Sequence, residues 1–265
     1  MATLRYTILG CGSSGGVPRL GGLWGACDPS NPKNLRRRCS MLVERIEGDK
    51  TTRVLIDTSP DMRAQLLDAG IGHLDGVIFT HDHADHMHGI DDLRMIVFNR
   101  KSRLPVYADT RTTDGLLARF GYAFIQPPGS MYPPILELNA ITERTEITGA
   151  GGTICFEPIE VKHGRIDALG FRIGDLAYLP DAEEIYDAGW EKLDNLKIWV
   201  VDALRYKPHS SHAHLARTLE WIERAKPDRA VITNMHIDLD YERLNGETPD
   251  HVTPAFDGMV IEIEA

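Results

Sequence analysis

The sequence predicts an α/β protein in which two β-sheets pack face to face with helices outside. Apolar, β-rich segments come in two separate runs, one in each half of the chain, and helical segments accompany each run. Nothing between the halves has the composition of a linker, so residues 1–265 are read as a single domain. A make-up of 42% hydrophobic and 26% charged residues is ordinary for a globular chain of this length, which can bury a large core.

In the first half, strands are expected over residues 4–10, 39–46, 53–57 and 76–80, each apolar or β-branched and bounded by Gly, Pro, Asp or Asn. Residues 60–69 (PDMRAQLLDA) carry a proline near the start, an acidic first turn, apolar positions at helical spacing and Gly70 as a stop, which predicts a helix. A second helix is expected from near Asp85 through Phe98, then a strand over 104–108 and a helix near 113–120. Residues 126–134 (QPPGSMYPP) exclude regular structure and read as a surface loop that could serve as a lid. The second half repeats the pattern: strands over 152–161, 168–173, 176–179, 197–202, 229–233 and 258–264, with helices near 182–193 and 213–225.

Composition narrows the function classes. No stretch reaches the ~20 apolar residues of a membrane span, and the first ten residues lack a basic region followed by an apolar core, so a cytoplasmic protein is expected. Cys11, Cys27, Cys39 and Cys155 are too few and too scattered for a disulfide framework and are read as free thiols. A formal charge of −10 opposes binding of long nucleic acids, and Arg36-Arg37-Arg38 is a short run that suits a solvated loop.

The residues that carry chemistry begin where the fourth strand ends. From Thr80 the chain reads THDHADHMHGIDDL. Imidazoles and carboxylates are ligands for zinc or manganese, and His81, His83, Asp85 and His86 supply both kinds within a few residues. Two residues apart in an extended segment, His81 and His83 can converge on one ion, while Asp85 and His86 enter the following helix and can turn toward a second. His88, Asp91 and Asp92 read as supporting or helix-surface groups. Further ligand types close later strands: His163, Asp181 and His236. Asp181 is the natural bridge, because a carboxylate can give one oxygen to each of two ions roughly 3.5–4 Å apart. Cys11 and Cys27 show no paired histidine and are set aside as nucleophiles. The glycine-rich turn over 10–18 offers backbone N–H groups to an anion, or is purely structural.

THDHADH resembles the His-x-His-x-Asp-His signature of the metallo-β-lactamase fold family, and His163, Asp181 and His236 fall in that family's order. The resemblance implies a four-layer αββα sandwich with the site at one edge of its two sheets. It further implies that His81, His83 and His163 hold one ion, that Asp85, His86 and His236 hold the other, and that Asp181 bridges. Residues 10–18, Arg36-Arg37-Arg38-Cys39-Ser40, Leu55-Ile56-Asp57 and Phe256-Asp257-Gly258-Met259 resemble the PhnP-type cyclic phosphodiesterases. That narrower resemblance implies hydrolysis of a small phosphodiester, such as phosphoribosyl cyclic phosphate or a nucleoside cyclic phosphate, by a hydroxide held between two divalent ions. Zinc is the default and manganese also suits the ligand set. Besides Asp85 and Asp181, His212 is assigned to the chemistry as the acid that protonates the leaving oxygen, with His214 or His209 as substitutes. A homodimer is compatible with the resemblance. PhnP-type enzymes also hold a structural zinc in a cysteine-rich loop; here that loop keeps only Cys27, and Leu239 replaces the accompanying histidine, so that third zinc is not expected. Hydrolysis of a lactone or thioester at the same site, or a metal- or nucleotide-binding accessory role without chemistry, stands as the alternative.

Overall fold

A computed structural model describes residues 2–265. It divides into two compact units, one of the residues through Leu9, Ser40–Cys155 and Val260–Ala265, the other of Gly10–Cys39 and Phe156–Met259. Each unit carries most of the strands of one sheet.

The first sheet uses β1 (Thr3–Gly10), β2 (Ser40–Glu47), β3 (Lys50–Ile56), β4 (Gly76–Ile78), β5 (Leu104–Ala108) and β6 (Leu136–Ala140), with the last strand of the chain, β15 (Met259–Glu264), at its edge. The seven strands run in the order β15-β1-β2-β3-β4-β5-β6. β2 and β3 form an antiparallel hairpin around Gly48, whose φ of 62° suits the turn. From β3 to β6 the pairing is parallel, which requires crossovers. These contain α1 (Met62–Asp68), α2 (Ala84–Met87), α3 (Leu93–Arg100) and α4 (Thr110–Phe124). Their apolar faces bury Met62, Leu66, Met87, Leu93, Ile96 and Leu116 against Leu42, Leu55, Val77, Phe79 and Val106 of the sheet. β4, buried at every position, has the continuous apolar sequence of a central parallel strand.

The second sheet follows from β7 (Thr145–Gly149), β8 (Gly152–His163), β9 (Ile166–Ile173), β10 (Leu176–Leu179), β11 (Glu184–Ile185), β12 (Ile198–Asp202), β13 (Arg229–Thr233) and β14 (Val252–Pro254). Its order is β11-β8-β9-β10-β12-β13-β14, with β7 paired to β8 off this path. β10, β12, β13 and β14 are parallel neighbours. In this unit the helices are α5 (Asp187–Glu191), α6 (Leu215–Ala225) and α7 (Tyr241–Glu247). Trp199 and Tyr178 are fully buried, and Phe156 meets Phe171 edge to face at 5.9 Å. Buried Asp257 accepts from the backbone N–H of Cys11 at 3.1 Å and of Arg37 at 2.8 Å, tying down the loop after β1. Burial pushes its carboxyl up to about 7.

Most expected elements are present within a few residues, and the differences have local causes. The helix expected from Asp85 through Phe98 is broken into α2, a 3-10 turn at Ile90–Asp92 and α3. Gly89 causes the break: its N–H bonds Thr58 O at 2.9 Å, and a Cβ there would come within 2.0 Å of Ser59 O. Gly89→Ala is therefore expected to lower stability by about 3 kcal/mol, read as a lower urea midpoint at unchanged slope. The helix expected over 182–193 is reduced to α5, because Glu184 and Ile185 pair with Lys162 and Val161 as an edge strand. α4 is longer than expected, starting where Asp109 accepts from Thr112 N–H at 2.7 Å. β6, β7, β14 and α7 were not anticipated; residues 126–134 form neither helix nor strand. Among the described residues, no helix is long and apolar enough to cross a membrane.

Candidate metal centre

In the first unit the site residues lie just beyond the carboxyl ends of β3 and β4, where parallel α/β sheets place ligands. Asp57 follows β3 with a φ of 62° and is completely buried. Its carboxylate accepts Thr80 N–H, Thr80 Oγ1–H and the His86 Nδ1–H, each at 2.8 Å. Because the Thr80 hydroxyl proton goes to Asp57, its oxygen accepts from His81 Nδ1 at 2.9 Å. Burial raises the Asp57 carboxyl above its ordinary pKa, and the neighbouring His86 pulls it down. His83 precedes α2 as its N-cap, and Asp85 and His86 lie within that helix. The His81 ring lies 4.6 Å from that of His83 and 4.3 Å from that of His86, and Asp85 Oδ2 is 3.5 Å from His86 Nε2.

In the second unit His163 is the last residue of β8, Asp202 the last of β12, and Asp181 and His236 follow β10 and β13 by two and three residues. His163 Nδ1 donates to Ser211 O at 2.7 Å. His236 Nδ1 meets Asp238 Oδ1 at 2.8 Å, and the Arg19 guanidinium donates to His236 Nε2. Ligand atoms of His163, Asp181 and His212 lie within 4.8 Å of one another. Asp181 Oδ1 accepts from Asn234 Nδ2 at 3.1 Å.

His212 Nδ1 meets Asp202 Oδ2 at 2.9 Å, and burial pushes the fully buried Asp202 carboxyl up to about 7. Of the three histidines weighed as acid, only His212 touches a buried carboxylate. His214 is the N-cap residue of α6, and His209 Nδ1 accepts from Ser211 Oγ at 3.1 Å.

The donor set fits divalent ions. Five histidines, His81, His86, His163, His212 and His236, turn Nδ1 to a protein oxygen. That places the proton on Nδ1 and the lone pair on Nε2, the orientation that supporting oxygens impose on metal-binding imidazoles. Glycine in the loop after β1 has a different use: the N–H groups of Gly12, Ser13, Gly16 and Val17 all bond backbone carbonyls, and a Cβ on Gly12 would sit 2.9 Å from Arg36 Cβ. The turn therefore packs closely at Gly12. Cys27 Sγ donates to Ile237 O at 3.4 Å and Leu239 O at 3.5 Å. Burial raises the Cys11, Cys27 and Cys39 thiols above their usual pKa, which opposes thiolate chemistry.

Sequence reasoning missed Asp202, Asn234 and Asp238, and met Asp57 only within a resemblance. Asp57 and Asp202 each end an apolar strand, the same signal that singled out Asp181.

The family description "Beta-lactamase superfamily domain" matches residues 52–237. An octanoyltransferase of Porphyromonas gingivalis is 35% identical over 261 residues, 97% of this chain and 51% of that protein. A ribonuclease Z of Bradyrhizobium diazoefficiens is 31% identical over 148 residues, 54% of this chain and 46% of its own length. The chain thus spans about half the length of these curated relatives. A crystal structure described as a new diphosphatase from the PhnP family superposes with a TM-score of 0.87 at 36% identity, covering 99% of this chain and 98% of that one. Family match and fold agree with the histidine and aspartate clusters: this chain is a member of the beta-lactamase superfamily, with the metallo-β-lactamase fold.

Proposed function

We propose that the protein is a dinuclear-metal hydrolase that cleaves a phosphorus–oxygen bond in a small phosphate compound, with a cyclic phosphodiester as the first substrate class. The observation that carries this reading is the common orientation of the histidines, each with Nδ1 turned to a protein oxygen. His81, His83 and His163 would hold one ion, Asp85, His86 and His236 the other, and Asp181 both. Zinc is the first choice from the ligand types, with manganese as the second. When bound, such ions neutralise charge on the phosphoryl oxygens and lower the pKa of an attacking water.

The chain's own residues do the rest. Asp57 fixes the His86 ring directly and the His81 ring through Thr80. Asp202 holds His212 by Nδ1, so that the ring, once protonated to the imidazolium, presents its Nε2–H to the departing oxygen. Asn234 orients the Asp181 carboxylate. A cytoplasmic setting and a small soluble substrate belong to the same reading.

A second substrate class has its own support. The full-length similarity to a PhnP-family diphosphatase favours a diphosphate linkage, which presents the same phosphoryl chemistry with a phosphate leaving group. Steady-state assays of zinc- and manganese-loaded protein on phosphoribosyl cyclic phosphate, nucleoside cyclic monophosphates and a nucleoside diphosphate sugar separate the classes. Turnover of the cyclic compounds supports the first and turnover of the diphosphate alone the second. Hydrolysis of lactones or thioesters without any phosphate substrate overturns both.

A further inference from the structure

Arg19 is a cation with no acidic partner in an acidic chain. Among the described residues its guanidinium makes no ion pair with a carboxylate, and its side-chain contact is with His236 Nε2. His236 Nδ1 carries its proton toward Asp238, so Nε2 offers a lone pair, and the guanidinium takes the place beside that lone pair. The side chain is placed there by its surroundings. Arg19 N–H bonds Leu23 O at 2.9 Å and Leu23 N–H bonds Arg19 O at 3.2 Å, closing a tight turn through Gly21 and Gly22 at φ of 87° and 75°. Just before it, Val17 and Arg36 exchange backbone hydrogen bonds at 2.8 and 2.9 Å. Gly15 leaves room for the side chain: a Cβ there would come 3.1 Å from Arg19 Nε and 3.3 Å from its Cγ. Nearby Arg36 is differently used, being buried and donating to Asn34 Oδ1 at 3.0 Å.

A guanidinium cannot share Nε2 with a divalent ion. Once His236 binds one, Arg19 is released beside it with its donors free and its backbone still anchored. A planar fork of N–H donors next to a cation site is matched by a phosphoryl group, whose oxygens take both. We propose that Arg19 is a substrate-binding residue that grips a phosphoryl oxygen of the substrate beside His236. The inference rests on the hydrolytic reading above for its metal, and adds that the substrate must present an anionic phosphoryl oxygen on the His236 side. Neutral lactones and thioesters gain nothing from it.

The test titrates zinc-loaded wild type, Arg19→Ala, Arg19→Lys and Gly15→Ala with inorganic phosphate and pyrophosphate by calorimetry, with metal content measured on each protein. Arg19→Ala is expected to weaken anion binding by about 10- to 100-fold at unchanged metal content, with Arg19→Lys recovering part of the loss. Gly15→Ala, which displaces the guanidinium without removing it, shifts affinity in the same direction by less. Equal anion affinity in wild type and Arg19→Ala overturns the proposal, as does a wild type that binds neither anion. Tighter zinc binding by Arg19→Ala with unchanged anion affinity also overturns it, since Arg19 would then only cover His236. Anion binding through Arg19 without turnover of any phosphate compound sinks the hydrolytic reading alone. Turnover unaffected by Arg19→Ala, with unchanged anion affinity, sinks this proposal alone.

Discussion

Replacing Asp181 by alanine is expected to yield a folded protein that has lost bound metal and at least about 1,000-fold of its phosphate-ester turnover. Folding should survive because Asp181 lies beyond the paired residues of β10, whose ladder to β12 ends at Leu179↔Val201. The carboxylate is buried between site groups, with Oδ1 3.9 Å from His163 Nε2 and 3.5 Å from His212 Nδ1. Burial chiefly, and the Asp181 charge in addition, raise the pKa of nearby Asp202, so two carboxyl groups oppose each other in the metal-free protein. Removing one relieves that opposition. Metal-free Asp181→Ala should therefore melt at or above the metal-free wild type, while the rise in Tm that zinc gives the wild type should shrink. Metal analysis, melting with and without zinc, and steady-state kinetics read the three effects. Full metal content with turnover within tenfold of wild type would remove Asp181 from the bridging position.

The parts of this site that could be read from sequence are those written locally. The β-branched run before Thr80 ends at a dense group of histidines and aspartates, and the strands before His163, Asp181 and His236 are equally plain. The supporting layer is not local. Asp57 reaches His86 across 29 positions, and only the parallel pairing of β3 with β4 brings them together. Asp202 could have been marked by its place at a strand end, yet its partner His212 lies in an irregular loop before α6. The break at Gly89 has the same origin, since helical spacing continues through it and only the carbonyls of Thr58 and Ser59 forbid the helix. Residues 182–193 look helical until Glu184 and Ile185 find an open strand edge. Short strands such as β6 (LELNA) and β7 (TEITG) mix polar and apolar residues too briefly for a period to register. The two sheets were legible because their longer strands are apolar and regularly punctuated.

His212→Ala should separate proton donation from metal binding. Its Nδ1 is held by Asp202, and the side chain is half-buried beside Asp181. An imidazolium so held presents its Nε2–H in a fixed direction, which suits delivery of a proton to a leaving alkoxide. Loss of that group is expected to slow hydrolysis of an alkyl phosphodiester by about 100- to 10,000-fold. An aryl diester that releases a nitrophenolate needs no proton at this stage and should retain most of its rate. Asp202→Asn, which keeps an oxygen acceptor but can turn its amide toward the ring, should reproduce the leaving-group dependence in weaker form. Metal content decides the competing role, because His212 also belongs to a cluster with His163 and Asp181 whose ligand atoms lie within 4.8 Å. If His212→Ala lost an ion, and alkyl and aryl substrates slowed alike, His212 would be a ligand and the proton would have to come from His209 or water. Metal content preserved together with a steep dependence on leaving-group basicity would leave His212 as the acid and Asp202 as the residue that aims it.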